Sequence, residues 1–169
     1  STGWSRVTTV STGDVGKYTS IKISTDNIPC IAHYDTTNDD IKFSSWTDAG
    51  LWASSTVDAN GGEYISLDIS TNNIFNVAYG RGDGVYFSSF TSTQWYTTQV
   101  ASYAFRKWVS MAVDSNGMPH IAFCNSSGTD DLYYSSYSVT SGWQTSVLTE
   151  NFTTGNWVSI AIDNNNIPH

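Results

Sequence analysis

Tyr18-Thr-Ser-Ile-Lys-Ile-Ser24 returns three times along the chain, as Tyr64-Ile-Ser-Leu-Asp-Ile-Ser70, Trp108-Val-Ser-Met-Ala-Val-Asp114 and Trp157-Val-Ser-Ile-Ala-Ile-Asp163. The copies are spaced by 46, 44 and 49 residues. In each, small or polar residues alternate with Ile, Leu, Val or Met, the period of two that suits a pleated strand. A repeat of this length, built from aromatic and β-branched runs without helical periodicity, denotes a unit of a few strands that buries its faces against copies of itself.

Working outward from that phrase, each copy is followed by a turn: Thr25-Asp-Asn27, Thr71-Asn-Asn73, Ser115-Asn-Gly117 and Asn164-Asn-Asn166. Such residues tolerate left-handed backbone and bond their own main chain. The second strand reads Pro29-Cys-Ile-Ala-His-Tyr34, Phe75-Asn-Val-Ala-Tyr79 and Pro119-His-Ile-Ala-Phe-Cys124, with proline at the first position in two of the three, where its missing N–H matters least. The third strand carries an aromatic-Ser-Ser-aromatic signature: Phe43 to Trp46, Phe87 to Phe90 and Tyr134 to Tyr137. The fourth starts at Trp4, Trp52, Trp95 or Trp143 and runs into a loop that leads to the next unit.

The unit resembles the blade of a β-propeller, a radial sheet of four antiparallel strands. The pattern Asp-x-Asn-x-x-Pro-His-Ile-Ala, complete from Asp114 to Ala122, is similar to repeats in secreted bacterial and archaeal propeller proteins. The expected fold is therefore all-β, a propeller with three full blades and two partial ones. Its expected segments are an outer strand in 1–17, blades over 18–63, 64–107 and 108–156, and an inner strand in 157–169. Counted this way the ring is incomplete, so the chain is expected to associate with itself or with the missing remainder of a propeller.

Composition narrows the environment. Aromatic residues make up 14% and charged residues only 13% of the 169, so the surface relies on Ser, Thr, Asn and Tyr, which suits an extracellular or cell-surface location. No apolar run is long enough to span a bilayer. A net charge of −8 argues against nucleic acid as a partner, because phosphate binding needs a basic patch. Cys30 and Cys124 fall in second strands two units apart, too far for a bridge, and are expected to be packed thiols. Cys30, His120 and His169 share one repeat position but belong to different blades, so no metal site is expected there.

In an up-and-down blade the loops joining second to third strands emerge on the same side as those joining successive blades. This loop face gathers Asp14, Asp35, Asp39, Asp40, Asp58, Glu63, Asp83, Asp130, Asp131 and Glu150, against Lys17, Arg81, Arg106 and Lys107. Its loops vary in length between units, whereas the opposite face repeats its short turns almost unchanged. Variable loops on a rigid scaffold are the usual place for binding. The candidate ligand-binding residues are Asp35, Asp39, Asp40, Arg81, Asp83, Asp130 and Asp131, with Trp108 and Trp157 as aromatic platforms. Asp39, Asp40, Asp130 and Asp131 are also the candidates for calcium, although nothing matches a twelve-residue calcium loop; no other cofactor is expected. Arg81-Gly-Asp83 spells an adhesion tripeptide and also makes a serviceable tight turn with Gly84. Asn125-Ser-Ser127 and Asn151-Phe-Thr153 are glycosylation sequons.

An enzymatic reading finds little support. Sialidase-like propellers, which this chain resembles in architecture, carry an arginine cluster and Asp-box turns. Here Asp48-Ala-Gly50-Leu-Trp52 falls in the right hairpin but lacks the serine and the spacing, and the arginines are only Arg6, Arg81 and Arg106. His33, His120 and His169 all belong to second strands, where a core role is expected. The sequence is thus read as a non-catalytic recognition module that binds carbohydrate or a protein surface through its loops. The alternatives are a fragment of a propeller glycosidase or sialidase-like enzyme, and a purely structural cell-surface component.

Overall fold

The structure, a computed structural model, describes residues 7–102, 108–125, 131–149 and 157–169. Twelve strands form three antiparallel sheets, and no helix occurs among the described residues. The first sheet runs β1 (Val15–Ile23), β2 (Pro29–Asp35), β3 (Asp40–Trp46) and β4 (Trp52–Asp58). The second comprises β5 (Glu63–Ile69), β6 (Phe75–Arg81), β7 (Gly84–Thr91) and β8 (Gln94–Ala101). The third comprises β9 (Val109–Val113), β10 (Pro119–Cys124), β11 (Leu132–Ser138) and β12 (Gly142–Thr149). Within every sheet, spatial order follows chain order. β5 packs against both β1 and β9, so the first strands sit side by side and the sheets fan outward from them, as blades of a β-propeller.

Two apolar cores fill the spaces between blades. Cys30, Ile41, Phe43, Val57, Ile65, Leu67, Val77 and Tyr79 join blades 1 and 2. Ala78, Val85, Val100, Val109, Met111, Ile121 and Phe123 join blades 2 and 3. Successive residues of β6 thus point to different cores, the alternation that the period-two pattern dictates. Cys30 and Cys124 are both buried, and burial pushes the Cys30 thiol up to about 11.

The serine of the repeated phrase has a specific task. Ser20 Oγ accepts the Leu67 N–H at 3.0 Å, Ser66 Oγ accepts Met111 N–H at 3.0 Å, and Ser110 Oγ accepts Ile160 N–H at 3.1 Å. Each serine satisfies a main-chain donor one blade on, stitching the innermost strands together where no ladder partner exists. The turns repeat as closely. Asn27, Asn73, Gly117 and Asn166 have φ between 59° and 80°. Ser24 and Ser70 hydroxyls and Asp114 and Asp163 carboxylates accept the N–H four residues on, at 2.7 to 3.1 Å. Residues 157–169 open a further unit in this manner, with Ile162 bridged to Pro168. At the other end, residues 7–10 form no strand, and Trp4 lies outside the described residues.

Candidate functional site

Two concavities lie between blades, on different sides of the sheets. On the loop face, the β2–β3 loop, the β4–β5 linker and the β6–β7 turn surround a cleft of about 800 Å³. Its walls include Tyr34, Asp39, Asn60, Glu63, Tyr64, Arg81 and Asp83. Gly61 and Gly62 form part of its lining, at φ 71° and 153°, backbone that favours glycine; a β-carbon on Gly61 would stand 2.2 Å from Asp39 Oδ1 and would displace that carboxylate. Asp39, itself at φ 58°, accepts the Tyr34 hydroxyl at 2.6 Å. That bond, ahead of partial burial, pushes the Tyr34 phenol up to about 12.

Arg81 is held from three sides. It lies 3.4 Å from Asp58 and 3.7 Å from Asp83, and its guanidinium carbon sits 4.2 Å from the centre of the Tyr86 ring. Asp58 also accepts the buried Tyr79 hydroxyl at 2.6 Å. Burial pushes the Asp58 carboxyl up, but bonds from Tyr79 and Asn60 and the charge of Arg81 outweigh it and leave the group below its ordinary value.

Among the residues expected to bind, the cleft unites Asp39, Arg81 and Asp83. Asp35 is buried and bound by the Asn38 side chain and the N–H groups of Thr37 and Asn38, so it shapes its own loop. Asp40 pairs with Lys42 at 2.6 Å. Asp131 offers its carbonyl to the Asn125 N–H, while Asp130 lies outside the described residues. Trp108 and Trp157 stack on each other at 3.6 Å, continuing a staircase of rings from Tyr18 through Tyr64, and line neither concavity. Among the described residues no group of three or more His, Cys, Asp or Glu is placed to hold a metal ion. The Asn125 sequon is closed in the folded chain, since Asn125 is 3% exposed and donates to the Tyr133 hydroxyl; Asn151 lies outside the described residues.

The second concavity, about 300 Å³, opens in the groove between blades 2 and 3, near the short turns. Phe87, Tyr96, Tyr137 and Trp143 wall it with rings, and Asn76, Ser89 and Thr98 supply polar groups. No side chain in the lining is charged. Two repeat positions set its rings apart from the joint between blades 1 and 2: Tyr96 adds a wall where blade 1 has Ala53, and a ring is missing at the start of the second strand. Between blades 1 and 2, Phe75 packs 4.8 Å from Phe43 and 6.3 Å from Phe90, and Trp95 stands 5.4 Å from Phe43. Between blades 2 and 3 the same frame recurs, with Trp143 5.3 Å from Phe87 and 5.5 Å from Tyr137. The counterpart of Phe75 is Pro119, as their register partners Ile69 and Val113 show. A proline in place of a ring leaves the space vacant. In the sequence Pro119 marks a strand start but carries no sign of the gap it leaves, whereas the Gly61-Gly62 pair is a sequence signal of close backbone approach.

Neither a protein-family model nor a characterised protein sequence matches the chain. Solved structures do. A fucose lectin from Kordia zhangzhouensis in complex with methyl-fucoside is 12% identical with a TM-score of 0.53, over 78% of this chain and 99% of that one. A mutant of Aleuria aurantia lectin in complex with α-methyl-L-fucoside is 15% identical with a TM-score of 0.60, over 85% of this chain and 47% of that one. The same lectin in complex with Fucα1-6GlcNAc matches at 9% identity and a TM-score of 0.52, over 80% and 48%. The chain thus spans about half the length of the Aleuria lectin. At such identities the likeness is one of fold.

Proposed function

We propose that the chain is a non-catalytic carbohydrate-recognition module that takes one neutral sugar ring in the groove between blades 2 and 3. The observation that carries this reading is the ring-sized vacancy at Pro119, walled by Phe87, Tyr96, Tyr137 and Trp143 and edged by hydroxyls and an amide. Aromatic faces suit the C–H face of a pyranose, and the Ser89 and Thr98 hydroxyls and the Asn76 amide oxygen suit its hydroxyls. An uncharged lining disfavours an acidic sugar, whose carboxylate would lose its hydration without a partner. Fucosides are the ligands that the structurally similar lectins hold, so methyl α-L-fucoside is the first probe.

Three related readings go with it. The polar surface and the fold suit work outside the cell, on glycans of another surface. The loop-face cleft is favoured as a second contact region, for glycan or protein, because Asp39, Arg81 and Asp83 converge there. The chain also associates with further propeller units, its own or another chain's.

Calorimetry with methyl glycosides tests the main reading. Trp143→Ala is expected to weaken binding about tenfold or more, since stacking and lost apolar burial together are worth about 1–3 kcal/mol. Asp39→Asn and Asp83→Asn are expected to leave that binding unchanged. Sugar affinity that follows the two aspartates and ignores Trp143 would move the site to the loop face.

A further inference from the structure

We infer that the residue opening the second strand of each blade is the gate of its groove, so that the groove between blades 1 and 2 is a copy of the binding site plugged by the Phe75 side chain. This rests on the sugar-binding reading of the groove between blades 2 and 3.

The two grooves are built from the same parts. Phe43 and Phe87 hold equivalent places, opposite Ala32 and Ala78 in the ladders. Phe90 and Tyr137 follow, each opposite the tryptophan that starts the next strand, Trp95 and Trp143. The rings in the two frames are separated by nearly the same distances, 5.4 and 5.3 Å in one pair, 5.3 and 5.5 Å in the other. The gate differs, and so do two positions at the edge, where Ala53 stands in place of Tyr96 and Cys30 in place of Asn76. With the Phe75 ring in place, Phe43 is 6% exposed; across from Pro119, Phe87 is only half-buried and Tyr137 is 37% exposed. The polar edge changes in step. Trp95 donates its indole N–H to Ser55 at 3.3 Å across the plugged groove, while the counterparts Trp143 and Thr98 both line the open one. A phenyl ring and a pyranose are both six-membered rings of similar breadth, so Phe75 stands where a sugar ring would. Proline occupies the gate at 29, 119 and 168, and phenylalanine at 75 alone, so the position accepts either residue without loss of the strand.

The test exchanges the gates. In Phe75→Ala, which keeps the strand N–H, the calorimetric stoichiometry for methyl α-L-fucoside is expected to rise by one per chain, and the Trp95 indole N–H resonance to become ligand-sensitive. In Pro119→Phe the stoichiometry falls by one and the Trp143 resonance stops responding. Unchanged stoichiometry in Pro119→Phe, or a silent Trp95 in folded Phe75→Ala, overturns the gate. If the parent binds no sugar, the proposed function fails by itself, and phenol replaces sugar as the probe. Phenol must then shift Trp143 in the parent, not in Pro119→Phe, and shift Trp95 only in Phe75→Ala; any other pattern overturns the gate. Should Phe75→Ala fail to fold, the Pro119→Phe arm decides alone.

Discussion

Tyr79 shows how one side chain links the apolar core to the polar cleft above it. Its ring is fully buried between blades 1 and 2, while its hydroxyl donates to Asp58 at 2.6 Å and lies 3.1 Å from Ser88 Oγ. Ser88 in turn lies 2.7 Å from Thr97 Oγ1, so the Asp58 carboxylate is tied through a chain of hydroxyls to the outer strand of blade 2. Because Asp58 also steadies Arg81, the cleft depends on a bond made beneath it. Tyr79→Phe removes that bond without changing shape, and should cost about 1–3 kcal/mol, the usual effect of leaving a buried acceptor short of a donor. The pH dependence has a definite sign. The folded value of Asp58 is depressed below 3.8, so its contribution is present above that value and is lost as pH falls through the folded one. Urea unfolding should therefore separate parent from Tyr79→Phe most widely near neutral pH, and bring them together as pH falls through the folded value of Asp58. A gap that stays constant across that range would show that the hydroxyl acts through packing and not through the carboxylate.

At the level of strands and turns, the short turns do more than reverse the chain. Asn73 sits at φ 59°, accepts the Thr25 N–H at 2.9 Å and donates to Asp26 at 2.6 Å, so it closes its own hairpin and clips it to the turn of blade 1. Asn166 repeats half of this, accepting the Ser115 N–H at 3.0 Å. Asn73→Gly keeps the left-handed backbone and removes only the clip; Asn73→Ala removes both. Thermal unfolding should rank parent above Asn73→Gly above Asn73→Ala, with the alanine variant lower by about 1–2 kcal/mol. Equal stability of parent and Asn73→Gly would mean that the link between turns contributes nothing. These elements were legible in the sequence because their causes are local: alternation sets the strands, and Asn or Gly marks each left-handed turn. The site was far less legible. Asp35, Asp40 and Asp58 look like Asp39 and Asp83 in the sequence, yet only the last two line the cleft, while Asp35 is turned into its own loop, Asp40 pairs with Lys42 and Asp58 bonds Tyr79 beneath Arg81. The vacancy at Pro119 is harder still to foresee, because it is defined by a ring missing from a frame that two sheets build together.

Across the whole molecule, the same blade-to-blade contact is used again and again, and its repetition indicates what the outer face of blade 1 can accept. Ser20, Ser66 and Ser110 each receive an N–H from the following first strand, and an apolar layer beside them completes the joint. On blade 1, Ile21 and Ile23 remain 61% and 58% exposed, while Ile21 stands at the repeat position of Leu67, which is fully buried against blade 1. Residues of that size contribute about 1.5–3 kcal/mol each when taken wholly out of water, enough to favour a joint of the kind already made twice within the chain. The contact is head-to-tail, so it continues the ring sense of the blades instead of pairing one face with itself. The isolated chain is therefore expected to associate, and light scattering after size exclusion at micromolar concentration should report a multiple of 18.5 kDa. Ile21→Glu with Ile23→Glu should return it to a monomer while leaving sugar binding in the groove between blades 2 and 3 intact, because that groove shares no residue with the face of blade 1. A folded 18.5 kDa monomer from the parent chain would sink the prediction. Association that survives both substitutions would move the joint to a different surface, such as the uncharged outer strands β8 and β12.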